Sequence, residues 1–279
     1  MDKIGVFKRY TKKPSALKYG YYYYAKLSVP FHKEGRFIRV WLPEDYDFNN
    51  PEKKFPVIYF SDGQNLVDKY LSAYGEWELD KTAHRLKRRG YPSFIAVGID
   101  CTKDPMERMN ELNPPYRIDI KREPYPNHPI GNQYVDYIAD KLKPLIDSLF
   151  YTIPDKECTA IGGSSMGGIM SFYAYIYRPD IFGFSLSFSP AFFFYTKKHW
   201  ESILDEYDIN KDKNGKLFLY SGGRDFEAIF LTPVFNTYNY LKNRLNENQL
   251  QMLIDTSEIH HEQAWAKYLY DALKFWLKD

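Results

Sequence analysis

The sequence predicts an α/β fold: a mostly parallel central sheet with helices on both faces, preceded by an antiparallel, β-rich N-terminal part. Three observations carry that prediction. Short, continuously apolar runs recur from residue 93 onward and alternate with longer stretches of helical period, as strands buried on both faces between helices do. The first third is rich in β-branched and aromatic runs, which suit a pleated, half-buried surface. One glycine-rich turn, "GGSSMGG" at 162–168, joins an apolar strand directly to an apolar helix.

In chain order, the β-rich beginning holds "YYYAKLSVPF" (22–31), "GRFIRVWLP" (35–43) and "FPVIYFSDG" (55–63). Within it the run "YGYYYY" reads as a strand with neighbours on both faces rather than a sugar-stacking platform. The basic run "HRLKRRG" (84–90) follows helical spacing and reads as a solvated helix face. The later strands are "SFIAVGID" (93–100), "ECTAIGG" (157–163), "FGFSLSFSP" (182–190), "KLFLYSGG" (216–223) and "LQMLIDT" (250–256). Helices are expected near 132–149, 166–177, 230–245 and 263–278. No repeat, low-complexity tract or Gly/Ser linker interrupts the chain, so residues 1–279 read as one domain.

Bulk composition narrows the function. With 38 basic and 36 acidic residues the net charge is only +2, which makes no electrostatic case for a nucleic-acid partner or an anionic membrane surface. No run approaches 18 apolar residues and the first twenty residues hold no apolar signal core, so neither a membrane span nor a secretory signal is expected. The two cysteines, Cys101 and Cys158, lie in apolar, strand-like contexts. Read as buried free thiols they fit a reducing, cytoplasmic setting, and no Cys/His spacing suggests a metal. The β-rich beginning offers an edge for pairing with a second copy as a homo-oligomer.

In parallel sheets, functional groups collect on the loops at the carboxyl ends of the strands. The template G-x-S-x-G fits with Ser165 at its centre, between Gly163 and Gly167; centring it on Ser164 would need glycine at Met166. A strand-to-helix turn this tight exposes its apex hydroxyl over the sheet at the positive start of the next helix, so Ser165 is the nucleophile candidate. A serine needs a base and a group that orients the base, expected in the order Ser, acid, His on later loops. After "KLFLYS" comes "GGRDFEA", offering Asp225, which follows the strand most directly and is preferred, and Glu227 as the alternative. After "LQMLIDT" comes "SEIHHEQAW", offering His260 and His261. The oxyanion of acyl transfer would be met by the N–H of Met166 and by the N–H of Gln64, in the turn after "FPVIYFS".

These residues resemble the esterase D-like branch of the α/β-hydrolases, a group that includes feruloyl and acetyl-xylan esterases, siderophore-ester hydrolases and S-formylglutathione hydrolases. The resemblance is carried by "YFSDGQN", "ERMNELNP", "YVDYIADKLKPLID", "GGSSMGG", "SPAFFF" and "HHEQAW", in the family's order over about 55–265. It implies the α/β-hydrolase fold and a serine carboxylic ester hydrolase that works through an acyl-enzyme without metal or cofactor. The ending H-x-E-x-x-W selects His260 over His261, with Glu262 and Trp265 as structural companions, and the family's acid soon after a glycine pair agrees with Asp225. The substrate would be a small-molecule ester of a small acyl, aromatic or sugar group, bound against Phe192, Phe193, Phe194 and Trp77. Two alternatives stand beside the ester hydrolase: an acyltransferase using the same triad, which the sequence does not separate from a hydrolase, and a non-catalytic binding protein on the hydrolase fold, which predicts a degraded triad where this chain keeps every member.

Overall fold

The structure is a computed structural model that describes residues 1–207 and 214–278. Its strands are β1 (Lys3–Ile4), β2 (Phe7–Arg9), β3 (Tyr21–Val29), β4 (His32–Leu42), β5 (Val57–Ser61), β6 (Ile95–Ile99), β7 (Thr159–Ser164), β8 (Phe184–Phe188), β9 (Lys216–Gly222) and β10 (Leu250–Asp255). Its helices are α1 (Leu79–Arg88), α2 (Pro105–Glu111), α3 (Gly131–Tyr137), α4 (Lys143–Leu149), α5 (Met166–Tyr177), α6 (Lys197–Glu206), α7 (Ala228–Leu241) and α8 (Glu262–Leu277). The chain packs as two compact units, one of residues 1–101, 136–159 and 261–279, the other of 102–135 and 160–260.

In the first unit, β1 to β4 form an antiparallel meander, β4 pairs antiparallel with β6, and β6 pairs parallel with β5. The tyrosine run lies in β3, where Tyr22 and Tyr23 are buried and their strand neighbours are half-buried. Both faces of β3 are therefore covered, as expected of aromatics on a pleated surface. Every residue of β5 and β6 is buried, which explains their unbroken apolar character. Helices α1 and α8 pack together, with Arg85 over the Tyr270 ring at 4.1 Å. The N-terminal segment is tied down by buried acids: Asp80 Oδ2 accepts the N–H groups of Lys18 (2.8 Å) and Tyr19 (3.1 Å), and Asp68 Oδ1 accepts that of Ala16 (3.0 Å).

The helix expected over 132–149 is not uniform. A π-turn, Ile138–Leu142, separates α3 from α4, and the Lys143 N–H reaches back to the Ile138 carbonyl. Pro144 at the start of α4 supplies no N–H, so the ladder widens there rather than leaving a regular α-turn incomplete. Neither cysteine is in a disulfide, and each is half-buried rather than buried. Cys101 lies just beyond β6, and Cys158 closes a 3-10 turn.

The second unit is built on four parallel strands. β8 pairs with β7 on one side and with β9 on the other, and β10 pairs with β9. Helix α5 packs on β8 and α7 on β9. The first eleven residues of α5, Met166 to Ile176, are all buried, so the helix is apolar all round because it has no solvent face. Among the described residues no helix is long and apolar enough to cross a membrane.

Candidate active site

In the second unit, Ser165, Met166, Asp225 and His260 lie on the segments that follow the carboxyl ends of its parallel strands. Ser165 follows β7 and is the N-cap of α5, with φ 58° and ψ −118°. A residue with a Cβ holds that conformation only under constraint, at a cost of about 1–3 kcal/mol. The constraint is visible: Ser165 N–H donates to the Phe188 carbonyl (2.9 Å), while its own carbonyl accepts from Gly168, Ile169 and Ala191 (3.1 Å each). A Cβ on Gly163 would stand 2.6 Å from the Gly167 carbonyl, and one on Gly168 would stand 2.5 Å from the Phe188 carbonyl oxygen. Glycine is therefore required on both sides of the apex. Ser164, by contrast, is a buried residue of β7 paired with Phe188.

The carboxylate that meets His260 is not the one preferred from the sequence. Asp225 does not reach a histidine; its side chain is 77 % exposed and its ion-pair contact is Arg224 Nε at 3.6 Å. Glu227, two residues on, is fully buried and hydrogen-bonds His260 Nδ1 through Oε2. Its other oxygen, Oε1, accepts from Ser189 Oγ (2.5 Å), the Gly222 N–H (2.8 Å) and Ser221 Oγ (3.4 Å). The correction has a geometric cause. Residues 225–227 form a 3-10 turn, and residues two apart on a threefold helix point in different directions. Asp225, at φ 55°, faces water while Glu227 faces the sheet.

His260 carries its acid partner on Nδ1, an arrangement that places a neutral ring's free lone pair on Nε2. Its face stacks on Phe230 (4.4 Å, 21°) and its edge meets Phe226 (5.4 Å, 87°). Among the described residues no hydrogen bond joins the Ser165 hydroxyl to His260; such bonds commonly tighten only once substrate is bound. His261 does other work: its ring accepts the Gln263 N–H (3.2 Å) and caps α8.

Met166 is the first residue of α5, and a first-turn N–H has no intrahelical acceptor. Its sulfur accepts from Asn113 Nδ2 (3.2 Å), and Asn113 in turn accepts from the Tyr195 hydroxyl (3.0 Å). Burial pushes the Tyr195 phenol well up, which keeps it a donor. Asn113 and Ser189 were not singled out from the sequence. The signals were present in "ELNP" and in "SFSP" at the end of β8, but nothing local shows which polar groups end up buried.

Gln64 belongs to the first unit, in a 3-10 turn, Gly63–Asn65, directly after β5. Its side chain clasps Cys101, accepting that residue's N–H (3.0 Å) and approaching its sulfur at 3.1 Å. The adjacent Asn65 donates to Glu262 (3.2 Å), and the Asn65 carbonyl accepts the Trp77 N–H (2.8 Å). Trp77 packs between Phe60 and Trp265. Trp77 is thus a buried residue that braces this turn. Phe192 is likewise spent on packing, against Phe172 and Trp200, and Phe194 is buried. Phe193 alone of the expected wall stays half-buried, abutting Phe230 (4.9 Å, 84°).

Three non-glycine residues with positive φ follow the three successive strands β7, β8 and β9: Ser165, Ser189 and Asp225. Such strain concentrates where geometry is functional. Among the described residues no group of His, Cys, Asp and Glu could hold a metal ion.

Residues 32–276 match the family model described as "Putative esterase". A Bacillus subtilis (strain 168) protein, "Uncharacterized protein YbbA", is 25 % identical over 262 residues, covering 90 % of this chain and 96 % of that one. Among solved structures, an IroE-like serine hydrolase from Shewanella oneidensis superposes with a TM-score of 0.71 at 21 % identity, over 92 % of this chain and 80 % of the other. The siderophore hydrolase EstB from Aspergillus nidulans gives 0.70 at 19 %, over 97 % and 98 %. The fold is that of the α/β-hydrolases.

Proposed function

The chain belongs to this esterase family and is an ester-hydrolysing enzyme, and on that premise we propose that it is a serine carboxylic ester hydrolase working through an acyl-enzyme. Ser165 is the nucleophile, His260 the base and Glu227 the acid that holds it. The observation that carries the reading is the buried Glu227 carboxylate on His260 Nδ1, in the same unit as the strained serine turn.

The steps follow from these groups. His260 Nε2 takes the Ser165 proton as the oxygen attacks the ester carbonyl. Glu227, with no contact to water, stabilises the imidazolium that forms. The Met166 N–H meets the developing oxyanion, and one such donor contributes about 3–4 kcal/mol. The imidazolium returns its proton to the leaving alcohol, and water, activated by the same ring, then releases the acid.

The substrates are small-molecule esters with a small acyl, aromatic or sugar group. The setting is read as cytoplasmic, supported by Cys101 and Cys158 standing outside any disulfide. The test is p-nitrophenyl acetate: the wild type should release a nitrophenolate burst equal to the enzyme concentration, and Ser165→Ala should lower kcat about 10⁴–10⁶-fold while Ser164→Ala changes it far less. Equal losses in the two variants would overturn the assignment of the nucleophile.

A further inference from the structure

We propose that Phe226 is a specificity-determining residue that receives the alcohol portion of the ester, and that it selects a flat, apolar alcohol such as an arylmethyl group. The proposal rests on the acyl-enzyme reading above. Phe226 is one of the few large apolar side chains left exposed, at 52 %. It sits one residue before Glu227, with its ring near-perpendicular to those of His260 (5.4 Å, 87°) and Phe230 (5.5 Å, 79°).

Nothing in the positioning of the base requires an exposed ring there. Glu227 fixes the imidazole through Nδ1, and the buried Phe230 covers one of its faces. Phe226 therefore adds apolar surface beside the base rather than a further restraint. With the half-buried Phe193 behind Phe230, it forms an aromatic flank on the histidine side of the site.

Chemistry says which half of the substrate meets that flank. The carbonyl is held by the oxyanion donors, whereas the leaving oxygen must approach the imidazolium to receive its proton. The group carried by the leaving oxygen is consequently delivered to the rings around His260. A flat apolar group there gains offset or edge-to-face contacts with Phe226. In deacylation the same place is taken by water, so Phe226 acts on acylation and leaves release of the acid unchanged.

The experiment compares benzyl acetate with ethyl acetate, two alcohols of similar leaving ability, on the wild type, Phe226→Ala and Phe226→Tyr. Phe226→Ala should lower kcat/KM for benzyl acetate about tenfold and for ethyl acetate less than twofold. Phe226→Tyr should keep the benzyl preference. Replacing benzyl acetate by benzyl butyrate should leave the effect of Phe226→Ala unchanged. An equal loss on both acetates, a loss that follows the acyl chain, or a wild type that does not prefer the benzyl ester would each overturn the proposal. Ethyl acetate hydrolysis that survives Ser165→Ala would instead bring down the acyl-enzyme reading, so the two failures are distinguishable.

Discussion

Glu227→Gln is the sharpest perturbation of this site, because it changes one atom of a fully buried group. Glutamine can keep its carbonyl oxygen where Oε1 now accepts from Ser189 and the Gly222 N–H. Its amide nitrogen then replaces Oε2 opposite His260 Nδ1. That nitrogen donates, so Nδ1 must become the acceptor and the ring proton moves to Nε2, the atom that has to take the Ser165 proton. The wrong tautomer costs about 10⁴ in kcat in a triad of this logic, or about 5.5 kcal/mol at 1.36 kcal/mol per decade. Asp225→Asn alters a side chain in solvent and should change kcat less than twofold. The assay is steady-state hydrolysis of p-nitrophenyl acetate, with thermal melting alongside to show that both variants fold. A Glu227→Gln enzyme within tenfold of the wild type, or an Asp225→Asn enzyme as impaired as it, would refute the assignment of the acid.

Three further outcomes are expected. His260→Ala should abolish turnover by about 10⁴-fold or more, whereas His261→Ala should keep activity within about threefold and lose about 1 kcal/mol of stability as the α8 cap goes; the reverse pattern of activities in the ester assay would exchange their roles. Gly168→Ala would favour an ordinary helix, but here its Cβ meets the Phe188 carbonyl oxygen at 2.5 Å, so it should destabilise by about 1–3 kcal/mol, and a melting temperature at or above the wild type's would show that the turn has room. Burial raises the Asp80 carboxyl above its usual value, so the native chain holds that proton more tightly than the unfolded chain and loses stability as pH climbs from about 4. Asp80→Asn keeps an acceptor oxygen with no proton to lose, so its stability relative to the wild type should rise with pH in urea melts, and a constant or falling difference would contradict this sign.

The parts of this protein legible in the sequence are those written locally. The parallel strands announce themselves as unbroken apolar runs, and the serine turn as glycines whose spacing only one register satisfies. The carboxylate that meets His260 was not legible. Asp225 lies nearer the end of β9 than Glu227 does, and only the sense of a single 3-10 turn decides which carboxylate faces inward. The two adjacent histidines posed the same problem. His261 is in extended backbone (φ −155°, ψ 150°), where neighbouring side chains point to opposite sides, so one histidine meets Glu227 and the other caps α8. Helix α6 was missed although Thr196, which accepts the His199 N–H (3.3 Å), is an N-cap residue type. The lysines and acids after it carry little apolar rhythm, and packing of Trp200, Ile203 and Leu204 supplies what propensity does not. That Phe192 and Trp77 are buried was not legible either, because aromatic content alone does not distinguish a pocket from a core.

The backbone at Ser165 sets two demands on the chain against each other. Glycine is the residue that tolerates positive φ without penalty, so selection on thermal endurance alone would favour discarding the alcohol proposed as the nucleophile. Only selection for activity retains it, a familiar opposition between robustness and catalysis. A hardier version of this enzyme is therefore better sought among the β-rich strands of the first unit, where added rigidity competes with no chemistry, than at a turn whose tension comes with the reactive group it displays.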